Sequence, residues 1–131
     1  MNLEIGSPEG QPLITCFIRY VIDEDKLAEF EEYARTWMRL IEKYGGAHHG
    51  YFVADETPPS ATFSFPAIGK EGPSNVALAL FSFPDLESYE TYRKEVANDP
   101  DCLAATARHE ATKFFTSYER TFMRRLERDD E

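Results

Sequence analysis

Hydrophobic residues recur along this chain with two different periods, and the switches between them mark out its elements. In LITCFIRYVI, from Leu13 to Ile22, the period is two. Ile14, Cys16, Ile18, Tyr20 and Ile22 share one side, and Leu13, Thr15, Phe17, Arg19 and Val21 the other. A β-branched and aromatic run of this length predicts a strand. Both of its sides are largely apolar, so both are expected to be covered. Within DEDKLAEFEEYARTWMRLIEKYGG the spacing changes to three and four. Leu27, Phe30, Ala34, Trp37, Ile41 and Tyr44 then form one stripe along a helix. Asp25 is the expected cap, the acids of the first turns suit the helix dipole, and Gly45 supplies a left-handed stop.

The period returns to two in AHHGYFVADE, Ala47 to Glu56, where His48, Gly50, Phe52 and Ala54 alternate with His49, Tyr51 and Val53. TPPSATFSFPAIGKEGPS follows, Thr57 to Ser74, rich in proline and glycine. It predicts a long loop with at most a short extended piece at Ala61–Phe65. NVALALFSF, Asn75 to Phe83, is a third strand, apolar on both sides and stopped by Pro84. Asp85 caps a helix with a stripe of Leu86, Tyr89, Arg93 (or Tyr92) and Val96. Asp99 and Pro100 restart it as NDPDCLAATARHEAT. The last element, KFFTSYERTFMRRL, alternates Phe114, Thr116, Tyr118, Arg120 and Phe122 with Phe115, Ser117, Glu119, Thr121 and Met123.

The order β-α-β-β-α-β predicts an α+β, ferredoxin-like fold: a four-stranded antiparallel sheet with its helices on one face. Helices can cover only one side of a sheet that is apolar on both. The bare side is expected to be a partner surface, most simply for a second copy of the chain. The domain then spans 13–123, with 57–74 as a loop insertion, a flexible leader at 1–12 and a charged tail at 124–131.

Composition narrows the partners. With 14 basic against 24 acidic residues the net charge is −10, which disfavours nucleic acid and anionic membranes. No apolar run approaches the roughly 20 residues of a membrane span. The first residues lack a secretory signal pattern, so a cytoplasmic protein is expected. Cys16 and Cys102 lie far apart in apolar stretches and read as reduced core thiols.

Taken together, ITCFIRYVID, KLAEFEEYARTW, YGGAHHGYF, NVALALFSFPDLESYETYR, DPDCLAA and SYERTF resemble the NIPSNAP family, within the dimeric α/β barrel superfamily. The resemblance runs from about Leu13 to Phe122. The loop Pro58–Ser74 departs from it, being longer and richer in proline. The resemblance implies the barrel-type homodimer. It implies no defined reaction, because small bacterial-type members of the family generally lack one.

The candidate chemistry sits on strands. Adjacent strand residues face opposite ways, so His48 and His49 cannot share one pocket, and a paired-histidine metal site is not expected. Either is a candidate catalytic base. Arg19, Tyr51, Tyr118 and Arg120 are candidate ligand-binding residues, the arginines because a charge in a sheet needs an anion or an acidic neighbour. His109, in ARHEAT, is a weaker candidate for a haem ligand on superfamily analogy. No phosphate loop, nucleophile elbow or carboxylate metal motif is present, and no cofactor is expected. Three readings remain open: a homodimer binding a small apolar or aromatic molecule between sheet and helices, a cofactor-independent monooxygenase or isomerase, and a regulatory dimer that recruits a protein.

Overall fold

Four strands and three helices follow one another in the expected order. β1 is Ile14–Ile22, α1 Leu27–Lys43 after a 3₁₀ turn at Glu24–Lys26, β2 Ala47–Val53, β3 Val76–Phe83, α2 Leu86–Val96, α3 Pro100–Thr112 and β4 Phe115–Met123. They belong to a computed structural model that describes residues 13–129. The expected leader, 1–12, lies outside the described residues. The sheet runs β2-β3-β1-β4 with every neighbouring pair antiparallel. That is the ferredoxin-like arrangement.

All the helices pack on one face. Leu40 and Ile41 of α1, Tyr92 and Val96 of α2 and Cys102 of α3 bury together with Cys16, Phe81 and Phe83 of the sheet. A second cluster joins Phe30 and Ala34 of α1 to Tyr20, Ala77, Ala79 and Phe115. Cys16 and Cys102 are buried free thiols. On the opposite face Phe17 stands beside Leu80, and Arg19 lies between Leu78 and Glu119. Phe17, Leu78 and Leu80 are half-buried there, and Phe52 remains 54% exposed. No described helix covers them.

Local chemistry explains the element ends, with three corrections. Asp25 does not cap α1. Asp23 accepts the Asp25 N–H at 3.1 Å and caps the 3₁₀ turn instead, so α1 starts at Leu27 with Lys26 at its N-cap and no side-chain cap. Its C-terminus closes as expected: Gly45 takes φ = +97°, and Gly46 N–H reaches back to the Ile41 carbonyl at 2.8 Å. β2 ends at Val53 rather than Glu56, and the following loop contains no strand at Ala61–Phe65. That loop leaves Phe65 and Ile68 exposed.

One buried carboxylate ties the helices together. Asp99 caps α3 by accepting the Asp101 N–H at 2.8 Å, while its other oxygen receives Lys43 Nζ at 2.7 Å and the Tyr44 hydroxyl at 2.6 Å. The Lys43 and Tyr44 hydrogen bonds hold the Asp99 carboxyl well below its ordinary value of 3.8. A depressed carboxyl contributes stability above its unfolded-state value and loses it as the pH falls. Asp99→Asn should therefore lower the urea midpoint at pH 7 and flatten its decline below about pH 4. Parallel pH profiles for the two proteins would show that this carboxylate carries no such linkage.

Candidate functional site

Two irregularities in the sheet decide which side chains meet. In β2 the pairing runs His48 to Phe81 and then Gly50 to Leu80, so His49 is an extra residue. The bulge requires glycine, because Gly50 takes φ = +136°. Beyond it the alternation is inverted. His48 and Tyr51 both face the helices, with stacked rings 5.3 Å apart and 17° from parallel, whereas strict alternation would have separated them. His49 turns to the open face, where Nε2 and Ser82 Oγ are hydrogen-bonded at 2.8 Å. In β4 the register shifts between Ser117, opposite Val21, and Phe115, opposite Ile22. Phe115 and Tyr118 thereby share the helix side, their centroids 5.9 Å apart, although simple alternation assigned them to opposite faces.

Between this side of the sheet and helices α1 and α2 lies a cavity of about 150 Å³. Its wall is phenolic. Tyr20, Tyr33, Tyr51, Tyr89, Tyr92 and Tyr118 all line it, six of the chain's seven tyrosines. The single tryptophan, Trp37, joins them, with Cys16 and Phe81 among the sheet residues and Arg93 and Arg120 as the charged ones.

Burial sets the protonation of these groups. It drives the Tyr20 and Tyr51 hydroxyls well above their ordinary value of 10.0, raises Tyr92 in the same sense and lifts Tyr33 to about 12. At neutral pH these four phenols are uncharged and able to donate. The Cys16 thiol is pushed up to about 11 by burial, which outweighs the opposing pull of Arg120 and Arg93. A protonated thiol is not a nucleophile.

The cavity therefore gathers Tyr51, Tyr118 and Arg120 from among the sequence candidates. Arg19 lies on the other face, 3.9 Å from Glu119 in an exposed pair. His48 is not itself on the cavity wall. It backs Tyr51, with Nε2 buried and unpartnered, and burial lowers its pKa. His109 stacks on Phe115 at 3.9 Å and is not part of the lining. Sequence reasoning left out Tyr33 and Trp37 on α1, Tyr89, Tyr92 and Arg93 on α2, and Tyr20 as a lining residue. The available signal was spacing: 33 and 37 lie one helical turn apart, as do 89, 92 and 93.

These features define an α+β protein with a tyrosine-walled chamber between its two layers. Its family follows from comparison. The NIPSNAP family profile matches residues 15–127, and the chain belongs to that family. A NIPSNAP family protein from Agrobacterium tumefaciens is similar in structure, with a TM-score of 0.66 and 19% identity over 91% of this chain and 90% of that one. An uncharacterised NIPSNAP-like domain protein from Burkholderia xenovorans gives 0.64 and 17% over 88% and 87%. A protein from Nitrosomonas europaea, proposed to be an antibiotic biosynthesis monooxygenase, gives 0.60 and 7% over 91% and 95%. No curated protein matches the chain by sequence.

Gly50 tests how far this site depends on its bulge. A Cβ there would stand 2.6 Å from the Phe52 ring, in a backbone region that L-residues avoid. Gly50→Ala should cost about 1–3 kcal/mol in urea unfolding and shift the Tyr51 ring resonances in NMR spectra. Unchanged stability would mean that the bulge is not a glycine-dependent feature.

Proposed function

We propose that this NIPSNAP family protein is a homodimer that binds one small aromatic molecule per chain in the cavity between sheet and helices. The observation that carries this reading is the concentration of six tyrosines and the only tryptophan around a space that their side chains leave unfilled. Aromatic walls present flat apolar faces for a ring, and their hydroxyls present donors for its oxygens. The size suits a small guest, since a cavity of roughly 150 Å³ accepts one benzene ring. The dimer covers the second face of the sheet, where Phe17, Leu78, Leu80 and Phe52 stand without a helix above them.

A second reading is catalytic, and a specific contact favours it. His48 leaves Nε2 buried and unpaired directly behind Tyr51, and the fold is shared with a proposed monooxygenase. In this version His48 takes a proton from a phenolic or ketonic ligand after Tyr51 moves aside, and Tyr118 steadies the oxyanion.

A thermal-shift screen of phenols and benzoates tests both readings. A ligand at ten times its Kd adds about 1.4 kcal/mol, or several degrees in Tm. Cys16→Leu, which fills the cavity floor, should remove that shift while the protein stays folded. A shift that survives in this variant would place the ligand elsewhere. Light scattering should give about 30 kDa, twice the 15.0 kDa of the chain. Ligand uptake without turnover in oxygenated buffer would favour the binding module; turnover lost in His48→Ala would favour the enzyme.

A further inference from the structure

The cavity is strongly one-sided in charge. Among the described residues its only formally charged lining residues are Arg93 and Arg120, and no aspartate, glutamate or histidine joins them. In a chain with 24 acidic residues against 14 basic ones, that exclusion runs against the composition. The two cations come from different layers, Arg93 from α2 and Arg120 from β4. Among the described residues neither forms an ion pair. Arg120 instead lies over the Phe122 ring, 5.2 Å from its centroid. Arg120 also pairs across the sheet with Ile18, itself a lining residue. Both positive charges are felt at the Cys16 thiol on the cavity floor, so their fields converge on one space.

The rest of the wall agrees with this sign. Burial keeps Tyr20, Tyr33, Tyr51 and Tyr92 uncharged and able to donate, and Trp37 offers only a donor. The site is rich in donors and cations and, among the described residues, has no carboxylate. A cationic ligand would face two guanidiniums with no carboxylate among the described lining residues to offset them. A ring bearing a negative oxygen would place its apolar part among the tyrosines and its charge against the guanidiniums, where charge-assisted hydrogen bonds are strongest.

We propose that the cavity's ligand is a single-ring aromatic carboxylate, clamped by Arg93 and Arg120 with its ring held among the tyrosines. This rests on the binding reading above and narrows its ligand class. Calorimetry with 4-hydroxybenzoate and with its neutral counterpart 4-hydroxybenzamide separates the two claims. The acid should bind at least tenfold more tightly than the amide. That preference should collapse to within about twofold in the Arg93→Gln/Arg120→Gln double variant, through a loss of affinity for the acid of at least fivefold. Inorganic phosphate should compete poorly, because it has no ring to bury.

Equal affinity of acid and amide for the native protein would overturn the carboxylate assignment and leave the aromatic cavity standing. Competition by phosphate at the same concentration as the acid would also overturn it, by showing a general anion site. Failure of the acid, the amide and simple phenols alike to bind would remove the cavity reading along with it.

Discussion

A phenol ring is apolar across its faces and polar at one tip, and this protein places six of them between a sheet and its helices. Leucines in the same layer could interlock completely. Phenols cannot do so without stranding their hydroxyls, because a buried hydroxyl lacking a partner is costly. The rings settle this by edge contacts along their sides. Tyr20 meets Phe30 at 5.0 Å and Phe115 at 5.1 Å, both in T-shaped geometry, while Tyr33 packs on Phe114 at 5.3 Å. Such contacts fix the walls. The space that remains is a consequence of the residue type.

The backbone adds the second ingredient, which is direction. A regular β2 would place His48 and Tyr51 on opposite sides of the sheet, yet one glycine-dependent bulge brings them together on the helix side. The shift in β4 does the same for Phe115 and Tyr118. Bulges at sheet edges commonly re-aim side chains in this way. Both lie on the outer strands of the order β2-β3-β1-β4, so the regular central pair, β1 and β3, is left to carry the core. Across the sheet the same strands expose an unrelated surface, in which Arg19 pairs with Glu119 and His49 with Ser82. The two faces thus differ in kind: one borders the cavity, and no described helix covers the other.

Much of the fold was legible in the sequence because it rests on short-range rules. Period two and period three-to-four separated strands from helices, Gly45 and the Asp99-Pro100 pair marked their limits, and the order fixed the topology. The site was harder to read, for two physical reasons. Alternation presumes a flat, regular pleat, so Gly50 passed as an ordinary strand residue when it was the local sign of a bulge. A tyrosine on a helix stripe is buried whether it fills a core or lines a cavity, so Tyr89 and Tyr92 could not be told from packing residues, and Tyr33 fell outside the α1 stripe altogether. Arg93 shows the same limit from the other side. The stripe admitted either it or Tyr92, and in the structure Tyr92 is buried while Arg93 stands exposed beside it on the cavity wall.

The chain carries its own reporter for the central claim, since its only tryptophan, Trp37, lines the cavity. The most direct measurement is Trp37 fluorescence during titration with a small aromatic that stabilises the protein. If that ligand enters the tyrosine-walled space, emission should be quenched or shifted in step with the rise in Tm, saturating at one equivalent per chain. A ligand that raises Tm while Trp37 emission stays unmoved binds outside the cavity, and would contradict the site described.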